Sequence, residues 1–212
     1  SLAPKDILAA KLNCAWVYLA TLTGKSQKTA FEIAKIAKQK NIKLLFNPSL
    51  YLAQQGKKKL SLILQNTAIL VLNKEEAQAL LKSSSSSFEF LLTELQKRGP
   101  KAVIVTDGRR GLYALQKNIM YSLTKTPDVK TVHTAGAGDA FTSGLLAGLI
   151  KNYSFDDALR LGQVNASSVI HGSAIASLLD RALTFHDLHP LSQFLHVRQA
   201  LAVAPSVIQP AR

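Results

Sequence analysis

Residues Thr134-Ala135-Gly136-Ala137-Gly138-Asp139-Ala140-Phe141 combine two alternating glycines with a carboxylate at the head of an apolar, helix-forming run. Glycines at such a point let the backbone N–H groups of a first helical turn converge on an anion, and the helix dipole adds to the attraction. An acid there is unexpected, because its charge repels a bound phosphate unless it has a task. Accepting the proton of a hydroxyl during phosphoryl transfer is such a task. The alternative is structural: Asp139 caps the helix and the glycines only permit close packing. Two other phosphate-binding patterns fail. The dinucleotide fingerprint needs glycine where Phe141 stands, and Gly24-Lys25-Ser26 completes a Walker loop only with glycine at position 19, which is Leu19. His186 and His189 have helical spacing, but Pro190 interrupts the helix and no further ligand completes a metal set.

The elements around this stretch follow from the hydrophobic pattern. Short continuous apolar runs at 15–19, 42–46, 68–72 and 102–106 read as buried strands that lie parallel in one sheet. Between them, 27–40 has Ala30, Phe31, Ile33, Ala34, Ile36 and Ala37 on a helical period with lysines opposite. Residues 50–64 read as helix broken near Gly56, 74–81 as a helix capped by Asn73, and 88–98 as a helix stopped by Gly99-Pro100. The five serines at 83–87 read as a loop without packing content. Runs 112–116 and 119–123 flank Lys117-Asn118 as a hairpin, and 137–150, 155–170 and 173–183 are helical. Alternating strands and helices predict an α/β fold with a helix-covered, mostly parallel sheet.

Taken in order and spacing, Asn47-Pro48, Asn73-x-x-Glu76, Val105-Thr106-Asp107-Gly108-x-x-Gly111 and the Thr134–Phe141 stretch resemble the ribokinase-like carbohydrate and nucleoside kinases, the PfkB group. The resemblance covers about residues 13–188. It implies a three-layer α/β fold, transfer of the γ-phosphoryl group of ATP to an alcohol of a sugar or nucleoside, and a requirement for Mg2+. Position by position, it implies that Asp139 is the base and that the N–H groups around Ala137, Gly138 and Asp139 form the anion hole, with Gly136 and Gly138 keeping that backbone accessible. Asn73 and Glu76 would act near the phosphates and the hydrated magnesium, with Glu76 toward the metal. Thr106, Gly108 and Gly111 would shape the nucleotide site, and Asn165, Val169 and Gly172 its adenine-side wall. The pattern departs at His133, where the family has an aspartate whose charge imidazole cannot replace. Family members are also longer, and their first third supplies opening strands, sugar-recognition residues and a small lid. The chain is therefore expected to be the C-terminal, nucleotide-binding portion, with 1–188 as the kinase domain and 189–212 as a loosely attached tail. By itself it is expected to lack the acceptor half of the cleft and to show no turnover.

Composition bounds the rest. The 212 residues are 47% apolar and 18% charged, which excludes global disorder, and no uninterrupted run of apolar residues is long enough for a membrane span. A lone cysteine, Cys14, cannot form an internal disulfide; its apolar neighbours predict a packed thiol and a cytoplasmic setting. The formal charge is +13, and residues 1–60 hold eleven lysines against Asp6 and Glu32, a net of +9. Such a field gives weak, salt-sensitive attraction to nucleic acid, with no aromatic residue interleaving the lysines as a stacking platform. Loss of the opening strands predicts an exposed sheet edge and a homodimer. The readings that compete with the kinase are a non-catalytic truncated domain that binds nucleotide or a partner chain, and a basic nucleic-acid-binding protein.

Overall fold

The computed structural model describes residues 3–9, 12–124, 136–171 and 197–198. Expectations for His133, Gly172, the helix at 173–183, the pair His186 and His189, and most of the tail lie outside them.

A short helix α1 (Pro4–Ala9) precedes strand β1 (Trp16–Leu19), helix α2 (Gln27–Gln39) and strand β2 (Lys43–Phe46). Three short helices, α3 (Leu50–Ala53), α4 (Gly56–Lys59) and α5 (Ser61–Gln65), lead to β3 (Thr67–Asn73). Then come α6 (Lys74–Leu81), α7 (Phe88–Gln96), β4 (Ala102–Thr106) and the strands β5 (Leu112–Gln116) and β6 (Ile119–Leu123). Helices α8 (Ala137–Ile150) and α9 (Phe155–His171) follow, and Val197–Arg198 forms β7. The sheet runs β1 to β7 in chain order. Strands β1 to β4 are mutually parallel and β4 to β7 antiparallel.

Side chains of the central strands alternate between two cores, which explains why those strands read as continuous apolar runs. Leu44, Phe46, Leu70, Leu72, Val103 and Val105 face one core with residues of α2, α6 and α7. Leu45, Ile69, Val71, Ala102 and Ile104 face the other with Phe141 and Leu145 of α8 and Ala158 and Leu159 of α9. Each leucine so enclosed contributes roughly 1.5–3 kcal/mol relative to leaving it in water. Among the described residues, no helix is long and apolar enough to cross a membrane.

One local expectation is corrected and two are refined. Cys14 is exposed, because the strand begins only at Trp16 and leaves Cys14 in the preceding segment. The stretch 50–64 breaks twice, around Gln54–Gln55 and at Leu60; Gly56, with φ 81°, opens α4. The serine loop is hydrogen-bonded: Ser83 Oγ accepts from Ser85 N (3.2 Å), Ser85 Oγ from Ser87 N (3.3 Å), and Ser87 Oγ caps α7 at Phe90 N (3.3 Å). Serine hydroxyls replace missing ladder partners there. The β5–β6 hairpin turns on Lys117 (φ 50°) and Asn118 (φ 63°), the two left-handed residues of a tight turn that matches strand twist.

Candidate active site

The register fixes where the strands stop: Leu19 pairs with Phe46, which lies beside Leu70, so β1 and β2 end before β3 and β4, whose last residues Asn73 and Thr106 pair with each other. At their carboxyl ends lies a cleft of about 400 Å³ lined by Ala20, Thr21, Asn47, Ser49, Val71, Leu72, Asn73, Glu76, Thr106, Gly136, Gly138, Asp139 and Phe141. Ligands of open α/β sheets bind in that position. Ser49 N donates to Thr21 Oγ1 (2.6 Å), which ties the loops after β1 and β2 together at the cleft wall.

Helix α8 reaches the cleft through its N-terminus because α9 grips it closely. A Cβ on Gly144 would meet Leu161 O at 2.9 Å, and one on Gly162 would meet Phe141 O at 2.8 Å. Asn165 adds a bond from Nδ2 to Ala140 O (2.6 Å). The N-cap is Gly136, at φ 81°, a conformation that glycine adopts without strain, and it offers no side-chain cap. The first intrahelical bond is Ala140 N to Gly136 O (2.9 Å), so the N–H groups of Ala137, Gly138 and Asp139 have no acceptor inside the helix. A Cβ on Gly138 would meet nothing within 4 Å, which leaves the approach to these donors open.

Asp139 is the third residue of α8 and makes no cap bond to the helix start. Its Oδ1 accepts instead from Tyr18 Oη at 3.3 Å. Burial first, then the Asp139 charge and hydrogen bond, push the Tyr18 phenol up to about 12, with Thr142 pulling the other way. Asn47 Nδ2 donates to Thr142 Oγ1 (3.4 Å), and Thr142 Oγ1 donates to Gly138 O (2.9 Å), which steadies the same turn from below.

Asn73 and Glu76 enter the cleft as a reciprocal pair at the start of α6. Asn73 Oδ1 accepts from Glu76 N (2.8 Å), and Glu76 Oε2 accepts from Asn73 N (2.8 Å). Partial burial raises the Glu76 carboxyl above its ordinary 4.5, opposed by the Asn73 bond and assisted by the Glu75 charge. Thr106 Oγ1 donates to Leu72 O (3.4 Å).

The cleft thus brings together Asn73, Glu76, Thr106, Gly136, Gly138 and Asp139. Gly108 opens a turn over Gly108–Arg110, and Gly111 is held at φ 102°, where a Cβ would run into the Leu123 carbonyl. Asn165 serves the α8–α9 contact, and Val169 stands exposed near Gly136. Tyr18, Thr142 and Thr21 were not marked by sequence, and Asn47 carried no assigned role. Only the alternation of β1, which puts Trp16 and Tyr18 on one face, could have hinted at Tyr18.

A magnesium ion keeps several waters and uses one or two carboxylates with substrate phosphates. The donor set fits that style. Among the described residues no three His, Cys, Asp or Glu side chains cluster, while Glu76 keeps one carboxylate oxygen outside its cap bond.

The sheet order and the cleft at its carboxyl edge define an α/β protein with an open cleft against a helix N-terminus. The chain belongs to the pfkB family of carbohydrate kinases, whose model matches residues 8–180. It is 28% identical over 186 residues to a 5-dehydro-2-deoxygluconokinase of Shouchella clausii, covering 82% of this chain and 57% of that protein. It is 31% identical over 160 residues to a ribokinase of Haemophilus influenzae, covering 73% and 50%. In fold it is similar to the adenosine kinase of Sinorhizobium meliloti, with a TM-score of 0.72 at 21% identity, over 85% of this chain and 58% of that one. The three-layer α/β fold is shared with such structures. The chain spans about half the length of the curated relatives it matches.

Proposed function

We propose that this chain carries the nucleotide-binding and base-bearing half of an ATP-dependent kinase that phosphorylates an alcohol of a sugar or nucleoside. The observation that supports it best is the uncapped start of α8: open N–H groups at Ala137 to Asp139 beside a carboxylate, in a cleft at the strand ends. Asp139 takes the proton of the acceptor hydroxyl as its oxygen bonds to the γ-phosphorus. The bond from that phosphorus to the bridging oxygen breaks, and ADP leaves. Charge on the transferred group is met by the N–H groups of Ala137, Gly138 and Asp139, fixed beforehand by the helix and so needing no reorganisation. Asn73 and Thr106 border the phosphates. Glu76 would hold magnesium through water, and the ion when bound would neutralise phosphate charge.

The test is phosphoryl transfer from ATP by the full polypeptide that carries these residues, against a panel of sugars and nucleosides. Turnover on one acceptor class, lost in Asp139→Asn with nucleotide binding by calorimetry retained, is the expected result. Equal turnover in parent and variant removes the base assignment.

A further inference from the structure

We propose that Tyr18 is a positioning residue for Asp139: its phenol holds Oδ1, so that Oδ2 is the oxygen left to take the acceptor's proton. The proposal rests on Asp139 being the base and adds to that reading a residue from the far end of the chain, 121 positions away.

The ring is fixed before it donates. Tyr18 lies in β1, opposite Leu45 of β2, and packs on the core that contains Phe141 and Leu145 of α8. Strand and helix therefore share one packed unit, and the phenol reaches Asp139 Oδ1 at 3.3 Å from its β1 side. The proton count makes the direction unambiguous. A tyrosine hydroxyl has one proton and a carboxylate can only accept. Thr142, the other hydroxyl near the phenol, spends its single proton on Gly138 O (2.9 Å) and accepts from Asn47 Nδ2. Tyr18 is thus the donor, and among the described residues Oδ2 of Asp139 has no hydrogen-bond partner.

Orientation matters for a base on a short side chain. A carboxylate free to rotate about χ2 presents its oxygens to the cleft only part of the time, and one held at Oδ1 presents Oδ2 continuously. The benefit is geometric and should appear in kcat, not in nucleotide binding.

The experiment has two arms, each run on the full polypeptide. In the first, tyrosines are replaced by 3-fluorotyrosine, whose phenol ionises where the fold survives, and 19F NMR follows each signal with pH. The Tyr18 signal is the one missing in Tyr18→Phe. Asp139→Asn is expected to lower its midpoint by roughly 1 unit, because a like charge beside the phenolate is removed. An unchanged midpoint, with the other tyrosine signals in place to report an intact fold, overturns the positioning role. In the second arm, Tyr18→Phe is expected to lower kcat roughly 3- to 10-fold with the KM for ATP unchanged, since the ring stays packed and only one hydrogen bond is lost. An unaltered kcat overturns the proposal, and so does a fall matched by a rise in KM for ATP. Full activity in Asp139→Asn would instead strike the base assignment itself, so the two failures are told apart.

Discussion

Helix α6 begins with Asn73 and Glu76 bonded to each other's backbone at 2.8 Å each, while α8 begins with Gly136 and no side-chain cap, and both ends line one cleft. At α6 two of the orphan donors of a helix start are consumed by the chain itself. At α8 the corresponding donors are left pointing outward. The difference separates a helix end built for stability from one available to a ligand, since a donor already satisfied has little left to give an anion. Asp139 reinforces the contrast. A carboxylate in a first turn would ordinarily turn inward as a cap, yet this one turns to Tyr18.

The contrast can be broken most severely at Asp139. Asp139→Asn is expected to lower turnover roughly 10²–10⁴-fold, because an amide cannot take the acceptor's proton. Its melting temperature should stay near the parent's, as no cap bond is removed. Gly138→Val comes next. A Cβ there meets nothing within 4 Å, so thermal stability should change little while ATP affinity by calorimetry falls roughly tenfold, the branched side chain crowding the approach to the open N–H groups. Unchanged affinity would mean that the open end binds no phosphate.

At α6 the expected effects are smaller and fall on stability. Asn73→Ala removes the cap and should cost about 1 kcal/mol in urea unfolding. Glu76→Gln sharpens the comparison further, because glutamine also completes a capping box. Stability at neutral pH should then move by less than about 0.5 kcal/mol, while magnesium dependence of turnover weakens.

The pH dependence has a definite sign. The folded Glu76 carboxyl is raised by burial above 4.5, so the folded state holds that proton more tightly than the unfolded chain. The stabilisation is full below pH 4.5 and is lost as pH rises through the raised folded value. Glu76→Gln should flatten that decline in unfolding curves taken across mildly acidic pH. An identical slope in both proteins would show that Glu76 is not its source.

Much of this arrangement could be read from residue order. The four buried runs became four parallel strands because each is covered on both faces and needs no polar alternation. The hairpin at Lys117-Asn118 and the cap at Asn73 followed from local chemistry. The Thr134–Phe141 stretch exposed Gly136, Gly138 and Asp139 as a cluster because a single turn contains them. Tyr18 and Thr142 were hidden for the opposite reason: each looks like an ordinary core residue until β1 is laid beside α8. The same holds for aromatic residues near the lysines. Spacing along the chain does not pair them, yet Lys43 Nζ sits 5.2 Å from the Trp16 ring and Lys74 Nζ 4.9 Å from Phe88.

What the sequence by itself determined is whatever depends on neighbours within a few residues: strand and helix periods, caps, the tight turn, and the glycine-carboxylate start of α8. These are set by backbone sterics and short-range hydrogen bonds, which composition and spacing report directly. The tertiary structure alone decided which partner each polar group finds. Nothing local distinguishes an Asp139 that caps its helix from one that meets a phenol 121 residues away, because both place the same residue in the same first turn. That choice was made by the parallel register of β1 on β2 and by the close seating of α8 on α9, where Gly144 and Gly162 let the backbones approach. Packing at that distance turned a sequence pattern into a cleft with an oriented carboxylate.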